Sequence, residues 1–134
     1  MLTEPDAPST GVSPGETTTV AQWLDVCALE QITPGTGAAA LIDGEQIAIV
    51  RPSSDPQVYA LSNFDPFSKA FVIARGIIGD RNGVLKIASP VYKQNFSLET
   101  GQCLDDESVS LPTYETRVVA GRVHVKIQRL VEVS

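Results

Sequence analysis

Histidine and cysteine are scarce in this chain of 134 residues, which contains one histidine, His124, and two cysteines, Cys27 and Cys103. A structural zinc site of the Cys/His type needs four such ligands, and a standard iron–sulfur cluster needs four thiolates. The two cysteines lie 76 positions apart and are too few for a disulfide-rich secreted scaffold. The sequence therefore excludes these metal centres, and a Ser-His-Asp or Cys-His catalytic site would have to use His124.

Basic residues and long apolar runs are also few. Ten Lys and Arg residues stand against 16 Asp and Glu residues, which gives a net charge of −6, the wrong sign for binding a nucleic-acid backbone. No apolar run reaches the 18 or more residues that a membrane-spanning helix needs. The N-terminal residues do not resemble a signal peptide. We therefore expect a cytoplasmic protein with neither nucleic acid nor a membrane as a partner.

Large apolar residues are nearly missing from the first 20 positions. Ser, Thr, Pro and Gly make up 12 of these 20 residues, and the segment carries three acids and no base. Such a segment has too little apolar surface to offset the entropy lost on ordering it. We predict a disordered acidic tail over residues 1–20, one domain over residues 21–130 and a short C-terminal end over residues 131–134.

The remaining sequence consists of short runs rich in Val and Ile, separated by turn signals. Asp43-Gly44 and Asn82-Gly83 are strong hairpin signals, because a type I′ turn needs positive φ at both central residues. This pattern predicts an all-β fold, an antiparallel sandwich or barrel. The predicted strands cover residues 38–42, 46–51, 58–61, 76–78, 84–88, 96–98, 103–104, 114–119 and 122–127.

Two segments resemble the cluster-binding loops of a Rieske domain. Ser62-Asn63-Phe64-Asp65-Pro66-Phe67 follows a predicted strand and is similar to the first loop, where Rieske domains have Cys-Pro-His. Ser89-Pro90-Val91-Tyr92 is similar to the second loop, where they have Cys-Pro-x-His. A Phe-x-Leu segment and a Thr-Gly turn follow within residues 96–101, as in the Rieske pattern. The resemblance implies a Rieske-like antiparallel β fold.

The cluster ligands of a Rieske domain are missing from both loops. Carried over position by position, the four ligand positions fall on Asp65, Phe67, Ser89 and Tyr92. A Rieske centre needs two thiolates on one iron and two imidazoles on the other. The resemblance therefore implies a Rieske-like domain without the iron–sulfur cluster.

A Rieske scaffold of this kind, preceded by the turn Pro34-Gly35-Thr36-Gly37, resembles the small subunit of the assimilatory NAD(P)H-dependent nitrite reductase. The resemblance runs over residues 23–127. It implies a cytoplasmic enzyme of nitrate and nitrite assimilation that reduces nitrite to ammonium, with FAD, an iron–sulfur cluster and sirohaem in the large subunit. The small subunit is then an accessory partner of the large subunit, without a cofactor and without catalytic residues of its own.

The two loops allow two compatible interpretations. In the first, Asp65, Ser89 and Tyr92 hydrogen-bond to one another and to loop amides, while Phe67 fills the space that a cluster would occupy. In the second, Phe64, Phe67 and Tyr92 form a surface that binds the large subunit, because aromatic residues are enriched at interface hot spots. Direct catalysis by Asp65 and Tyr92 is disfavoured, because the reduction of nitrite by six electrons needs a cofactor.

Two other functions stay open at this stage. One is an electron-carrying ferredoxin, which would need bound iron. The other is a free-standing Rieske-like β-domain that binds a small molecule or a protein partner. The remaining conspicuous residues have structural interpretations, since Cys27 and Cys103 are expected to be small buried residues and His124 to face solvent from a strand.

Overall fold

A computed structural model of the chain describes residues 16–133. These residues form twelve β-strands and two single-turn 3₁₀ helices, at Leu29–Gln31 and Ile73–Arg75. The all-β fold predicted from the sequence is confirmed. Neither helix in this part of the chain is long and apolar enough to cross a membrane. The strands are β1 (Glu16–Ala28), β2 (Thr36–Ile42), β3 (Glu45–Arg51), β4 (Tyr59–Ser62), β5 (Phe64–Asp65), β6 (Ala70–Phe71), β7 (Ile77–Arg81), β8 (Val84–Ala88), β9 (Asn95–Ser97), β10 (Thr113–Tyr114), β11 (Thr116–Val119) and β12 (Arg122–Val133).

Residues 16–133 arrange these strands in four antiparallel sheets. One sheet has the order β1-β12-β11, and a second has the order β10-β4-β3-β2. The small sheet β5-β6 and the sheet β7-β8-β9 carry the two loops that resemble Rieske loops. The sheets are thus built mainly from strands that are neighbours in the sequence, as short hairpins predict.

Tight turns fix the register of the hairpins. Asp43 and Gly44 have φ angles of 53° and 81° between β2 and β3. Asn82 and Gly83 have φ angles of 53° and 86° between β7 and β8. Positive φ at both central positions is the type I′ geometry that suits the twist of paired strands. The two turns predicted from these dipeptides are therefore confirmed.

Two apolar clusters fill the interior on either side of β3. Ile47 and Ile49 point into one cluster, together with Leu24 of β1 and Val125 of β12. The alternate residues of β3 point into a second cluster around Phe96, which lies under the two loops. Because successive side chains of a strand face opposite sides, β3 is buried on both faces. The second cluster is the platform on which the loops rest.

The sheet β1-β12-β11 extends beyond the predicted domain boundaries. Glu16 pairs with Val133, and Val20 pairs with Arg129. Residues 16–20 therefore belong to β1 rather than to a tail, and β12 continues past residue 130. The segment 17–20 contains three threonines and a valine, whose branched side chains favour strands even where large apolar residues are missing. Residues 1–15, the rest of the predicted tail, lie outside the described residues.

Candidate functional site

Two loops meet at one end of the domain. The first follows β4 and begins with the short strand β5, which ends at Asp65, and the second leaves β8 and contains Ser89. The hydroxyl of Ser89 donates a hydrogen bond of 2.5 Å to Oδ2 of Asp65. The first loop also closes on itself, because the N–H of Lys69 donates to the carbonyl of Asp65 at 2.8 Å. The ends of β4 and β8 thus bring together the two segments that the sequence singled out.

The carboxylate of Asp65 is the centre of this contact. Its Oδ2 also accepts a hydrogen bond of 2.9 Å from the hydroxyl of Ser68, and its Oδ1 accepts one of 2.9 Å from the N–H of Phe67. Asp65 is 0% exposed and Ser89 is 1% exposed. A buried polar group must find partners inside the protein, and here three donors from two loops supply them.

The pKa of Asp65 reflects two opposing effects. Burial raises the pKa, because it disfavours the charged form. The hydrogen bonds from Ser89, Phe67 and Ser68 lower it by more in total, so that the pKa lies below its usual value. Asp65 is therefore an ionised, fully bound carboxylate at neutral pH. This state suits a structural link and does not suit a general acid or base.

Asn63 fastens the first loop to the body of the domain, a role that the sequence analysis missed. Its Oδ1 accepts a hydrogen bond of 2.7 Å from the N–H of Ala74, and its Nδ2 donates one of 3.0 Å to Oε1 of Gln46. Asn63 is 2% exposed. Asparagine often binds the amides of a turn that directly follows it. The partners of Asn63 are instead 11 and 17 residues away in the sequence, so no short sequence pattern predicts them.

Asp105 fastens the base of the second loop, and it was also missed. Its Oδ2 accepts hydrogen bonds of 2.8 Å and 3.0 Å from the backbone and side-chain nitrogens of Asn95. Its Oδ1 accepts a hydrogen bond of 3.1 Å from Arg81. The bonds from Asn95, and then that from Arg81, lower the pKa of Asp105. The end of the second loop is thus tied to both β7 and the acidic segment after β9.

The three aromatic residues predicted at the loop tips point in different directions. Phe67 packs on the cluster beneath the loops, with its ring centroid 6.2 Å from that of Phe96. Phe64 is half-buried and its ring lies 5.1 Å from that of Phe71. Tyr92 is 61% exposed. Of the two aromatic residues at ligand positions, Phe67 therefore turns inward and Tyr92 turns outward.

The residues at the four positions that the resemblance assigns to cluster ligands do not fit a [2Fe–2S] cluster. A phenylalanine offers no donor atom, and the oxygens of Asp65 and Ser89 are already bound to each other. Tyr92 points into solvent. The thiol of Cys103 is buried on the segment that bridges to Phe96, so it cannot replace a loop ligand. Within residues 16–133, no group of three or more His, Cys, Asp or Glu side chains could hold a metal ion.

The remaining cysteine and the histidine lie in the β1-β12-β11 sheet, away from the loops. Cys27 is half-buried rather than buried, and burial raises the pKa of its thiol. The side chain of His124 is only 19% exposed, because Arg117 and Asp25 flank it on the neighbouring strands. His124 alternates with the buried residues Val123 and Val125, as predicted, but the neighbouring side chains cover most of it.

The fold and its two loops define a Rieske-like domain, and the family model for the Rieske-like [2Fe-2S] domain matches residues 22–126. The chain is 46% identical over 107 residues to the nitrite reductase (NADH) small subunit of Salmonella typhimurium, covering 80% of this chain and 99% of that protein. The solution structure of the nitrite reductase [NAD(P)H] small subunit from Erwinia carotovora aligns with a TM-score of 0.70 and 46% identity, covering 84% of this chain and 85% of that chain. The chain belongs to the family of nitrite reductase small subunits.

A third relative places the same kind of domain inside a longer polypeptide. The chain is 36% identical over 108 residues to the nitrite reductase [NAD(P)H] large subunit of Klebsiella oxytoca. The match covers 81% of this chain and 11% of that protein. A domain similar to this chain therefore occurs both as a separate small subunit and as a segment of a large subunit.

Proposed function

We propose that this chain is the small accessory subunit of a cytoplasmic NAD(P)H-dependent nitrite reductase, which reduces nitrite to ammonium in nitrate and nitrite assimilation. It acts by binding the large subunit. Membership of the small-subunit family over 80% of the chain carries this proposal. The Klebsiella oxytoca relative supports the association, because there a similar segment and the large subunit are one polypeptide.

The chemistry of the reaction is assigned to the large subunit. Nitrite reduction needs cofactors that carry electrons, and we propose that FAD, an iron–sulfur cluster and sirohaem are all held by the partner. In this chain the two cysteine positions of a Rieske domain are Asp65 and Ser89, and their hydrogen bond holds the loops in place of a cluster. The isolated chain is accordingly expected to be colourless and without catalytic activity.

The surface that meets the large subunit is proposed to lie at the loop end of the domain. Tyr92 and Val91 of the second loop are 61% and 45% exposed, and Phe71 is 53% exposed beside Phe64. These exposed apolar side chains belong to the two segments that the Asp65–Ser89 hydrogen bond joins, and exposed apolar surface on a domain is typical of an interaction site. We leave Phe67 out of this surface, although the sequence analysis included it, because its ring packs inward against Phe96.

An open groove continues this surface next to Phe71. It has a volume of about 380 Å³, and Leu41, Pro112 and Tyr114 also line it. Leu41 is 48% exposed. A groove of this size can accept one large apolar side chain of the large subunit, which is the usual form of an anchor at an interface.

Co-expression with the large subunit tests the proposal. The two chains are expected to purify together in a fixed ratio, and NAD(P)H-dependent ammonium formation is expected to depend on both. The isolated chain is incubated anaerobically with iron and sulfide and should then bind no iron and show no visible absorbance. A free-standing binding domain would purify alone and leave activity unchanged. A ferredoxin would bind stoichiometric iron.

A further inference from the structure

The outer face of the β1-β12-β11 sheet carries an unusual contact between two basic side chains. Nε of Arg117 donates a hydrogen bond of 3.0 Å to Nδ1 of His124. The guanidinium of Arg117 also lies over the ring of Trp23, with its central carbon 4.3 Å from the ring centroid. The sheet register explains the arrangement, because His124 of β12 pairs with Arg117 of β11 on one side and with Asp25 of β1 on the other.

This contact exists only while His124 is neutral. A ring nitrogen that accepts a hydrogen bond must have its lone pair free, so the single proton of the neutral ring is on Nε2. The Nε2 atom faces Oδ2 of Asp25 at a distance of 3.9 Å. A proton added to Nδ1 would point at the N–H of Arg117 and would place two positive charges side by side. The same proton would strengthen the attraction of the ring to Asp25.

Four charged groups lie around the imidazole. Arg117 of β11 and Arg122 and Lys126 of β12 are positive and would repel a proton on the ring, whereas Asp25 of β1 is negative and would attract it. Arg122 is occupied, because it donates two hydrogen bonds of 2.8 Å and 3.0 Å to Oδ1 of Asp25. These bonds are the main cause of the lowered pKa of Asp25, which therefore stays a carboxylate at neutral and mildly acidic pH. Lys126 is also paired, since its Nζ lies 3.1 Å from Oε2 of Glu115.

We infer that His124 is a pH-sensitive switch for Arg117. Protonation of His124 ends the Arg117–His124 hydrogen bond, draws the imidazolium towards Asp25 and releases the guanidinium from its place over Trp23. The outer face of the sheet then gains one positive charge and a mobile arginine. Imidazole is the side chain whose charge ordinarily changes between pH 5 and pH 8. This inference is independent of the proposed function, because it concerns a different face of the domain.

The composition of the chain makes the test unambiguous. His124 is the one histidine and Trp23 is the one tryptophan in the sequence, so their signals need no assignment. The purified full-length chain is titrated between pH 5 and pH 8, with the ring protons of His124 followed by NMR and Trp23 followed by fluorescence. Both signals are expected to change with the same midpoint. His124→Gln is expected to abolish the fluorescence transition, and its persistence in that variant would overturn the inference.

Two substitutions separate the switch from simple exposure to solvent. Arg117→Met removes the positive charge that lies beside the ring, and the NMR midpoint is expected to rise because a like-charge repulsion is lost. Asp25→Asn removes the favourable carboxylate, and the midpoint is expected to fall. Arg75→Met is the matched control, because it removes one positive charge from the exposed 3₁₀ turn after β6. It should leave the midpoint unchanged.

The response of Trp23 provides the second criterion. In Arg117→Met, which still contains His124, the fluorescence transition is expected to lose most of its amplitude, because Arg117 is the group that moves over the ring. A midpoint that does not rise in this variant, or a transition of full amplitude, would contradict the switch. Arg117→Gln serves as the replacement if the methionine variant is not folded.

Discussion

Asp65 and Ser89 are joined by a hydrogen bond of 2.5 Å, although they are 24 residues apart in the sequence. They stand at the two positions that the resemblance to Rieske loops assigns to cysteine ligands. The same two strand ends thus bring the loops together, but an ionised carboxylate and a hydroxyl make the contact that metal ligation would make. At the two positions that the resemblance assigns to histidine ligands, Phe67 packs against Phe96 and Tyr92 is exposed.

Removing the hydroxyl of Ser89 tests how much this link stabilises the fold. Ser89→Ala leaves the buried carboxylate of Asp65 with one donor fewer, and the free energy of unfolding is expected to fall by about 2 kcal/mol. Urea denaturation at pH 7 measures the change.

Ser108→Ala is the matched control for this variant. Ser108 donates a similar hydrogen bond of 2.6 Å to Oδ1 of Asp106, but on the exposed loop after β9. Its removal should not measurably change the urea midpoint, because solvent replaces the lost bond. Equal effects of the two variants would show that the Asp65–Ser89 bond contributes nothing beyond an ordinary surface contact.

The lowered pKa of Asp65 predicts a specific loss of stability in acid. The unfolded chain binds a proton at this aspartate near its ordinary pKa, about 3.9, whereas the folded chain binds it only at a lower pH. The contribution of Asp65 to the free energy of unfolding is therefore complete above about pH 5 and is lost as the pH falls through the pKa of the folded state.

The variant Asp65→Asn isolates this contribution from those of the other aspartates. It should be less stable than the parent at pH 6, and the difference should shrink as the pH is lowered towards 3 in a series of urea titrations. A difference that stays constant over this range would mean that the carboxylate charge is not what holds the loops.

Much of the fold was predictable because its signals are local. The dipeptides Asp43-Gly44 and Asn82-Gly83 tolerate positive φ angles, so each of them predicts its own turn. The length of β1 was not predictable in this way. Its first residues, 16–20, are held by pairing with residues 129–133 at the other end of the chain, and composition alone does not report such a partner.

In the candidate site, too, the residues with a local sequence signal were predicted and those that depend on distant partners were not. The resemblance to Rieske loops located Asp65 and Ser89, and the structure brings them together. Asn63 and Asp105 were missed, because their importance comes from partners on other strands. The orientation of Phe67 and Tyr92 also depended on the space left above Phe96, which is a property of tertiary packing.

Gly101, in the turn after β9, is expected to be intolerant of a side chain. It has a φ angle of +78°, and a Cβ atom there would lie 2.1 Å from the carbonyl oxygen of Leu111. The N–H of Leu111 donates a hydrogen bond to the carbonyl of Gly101, and this bond holds the two backbones close together. Gly101→Ala is therefore expected to lower the free energy of unfolding by about 3 kcal/mol or more.

Gly44→Ala separates the clash from the backbone strain. Gly44 has a similar φ angle of +81°, but a Cβ atom there has no neighbour within 4 Å. This variant should lose only about 1 kcal/mol, the cost of left-handed backbone for an L-residue. Urea denaturation of the two variants gives the comparison, and similar losses would show that Leu111 moves away without cost.

Phe67 and Tyr92 provide the test that distinguishes packing from partner binding at the loop end. Phe67→Ala removes a ring that packs on Phe96, and the free energy of unfolding of the isolated chain is expected to fall by about 2–3 kcal/mol. Tyr92→Ala changes a residue that is 61% exposed, so stability should change by less than about 0.5 kcal/mol. Binding of the Tyr92→Ala variant to the large subunit should instead weaken by about 1–3 kcal/mol, as expected for an aromatic hot spot.

Leu130→Ala is the control for this last comparison, because Leu130 is 76% exposed but lies near the end of β12 rather than at the loops. Removing its side chain also takes away exposed apolar surface. If binding to the large subunit depended only on non-specific apolar contact, Leu130→Ala and Tyr92→Ala would weaken it equally. Binding of each folded variant to the large subunit is measured by calorimetry at one salt concentration. If Tyr92→Ala binds as tightly as the parent while Leu130→Ala binds more weakly, the large subunit meets the β1-β12 end of the domain and not the loops.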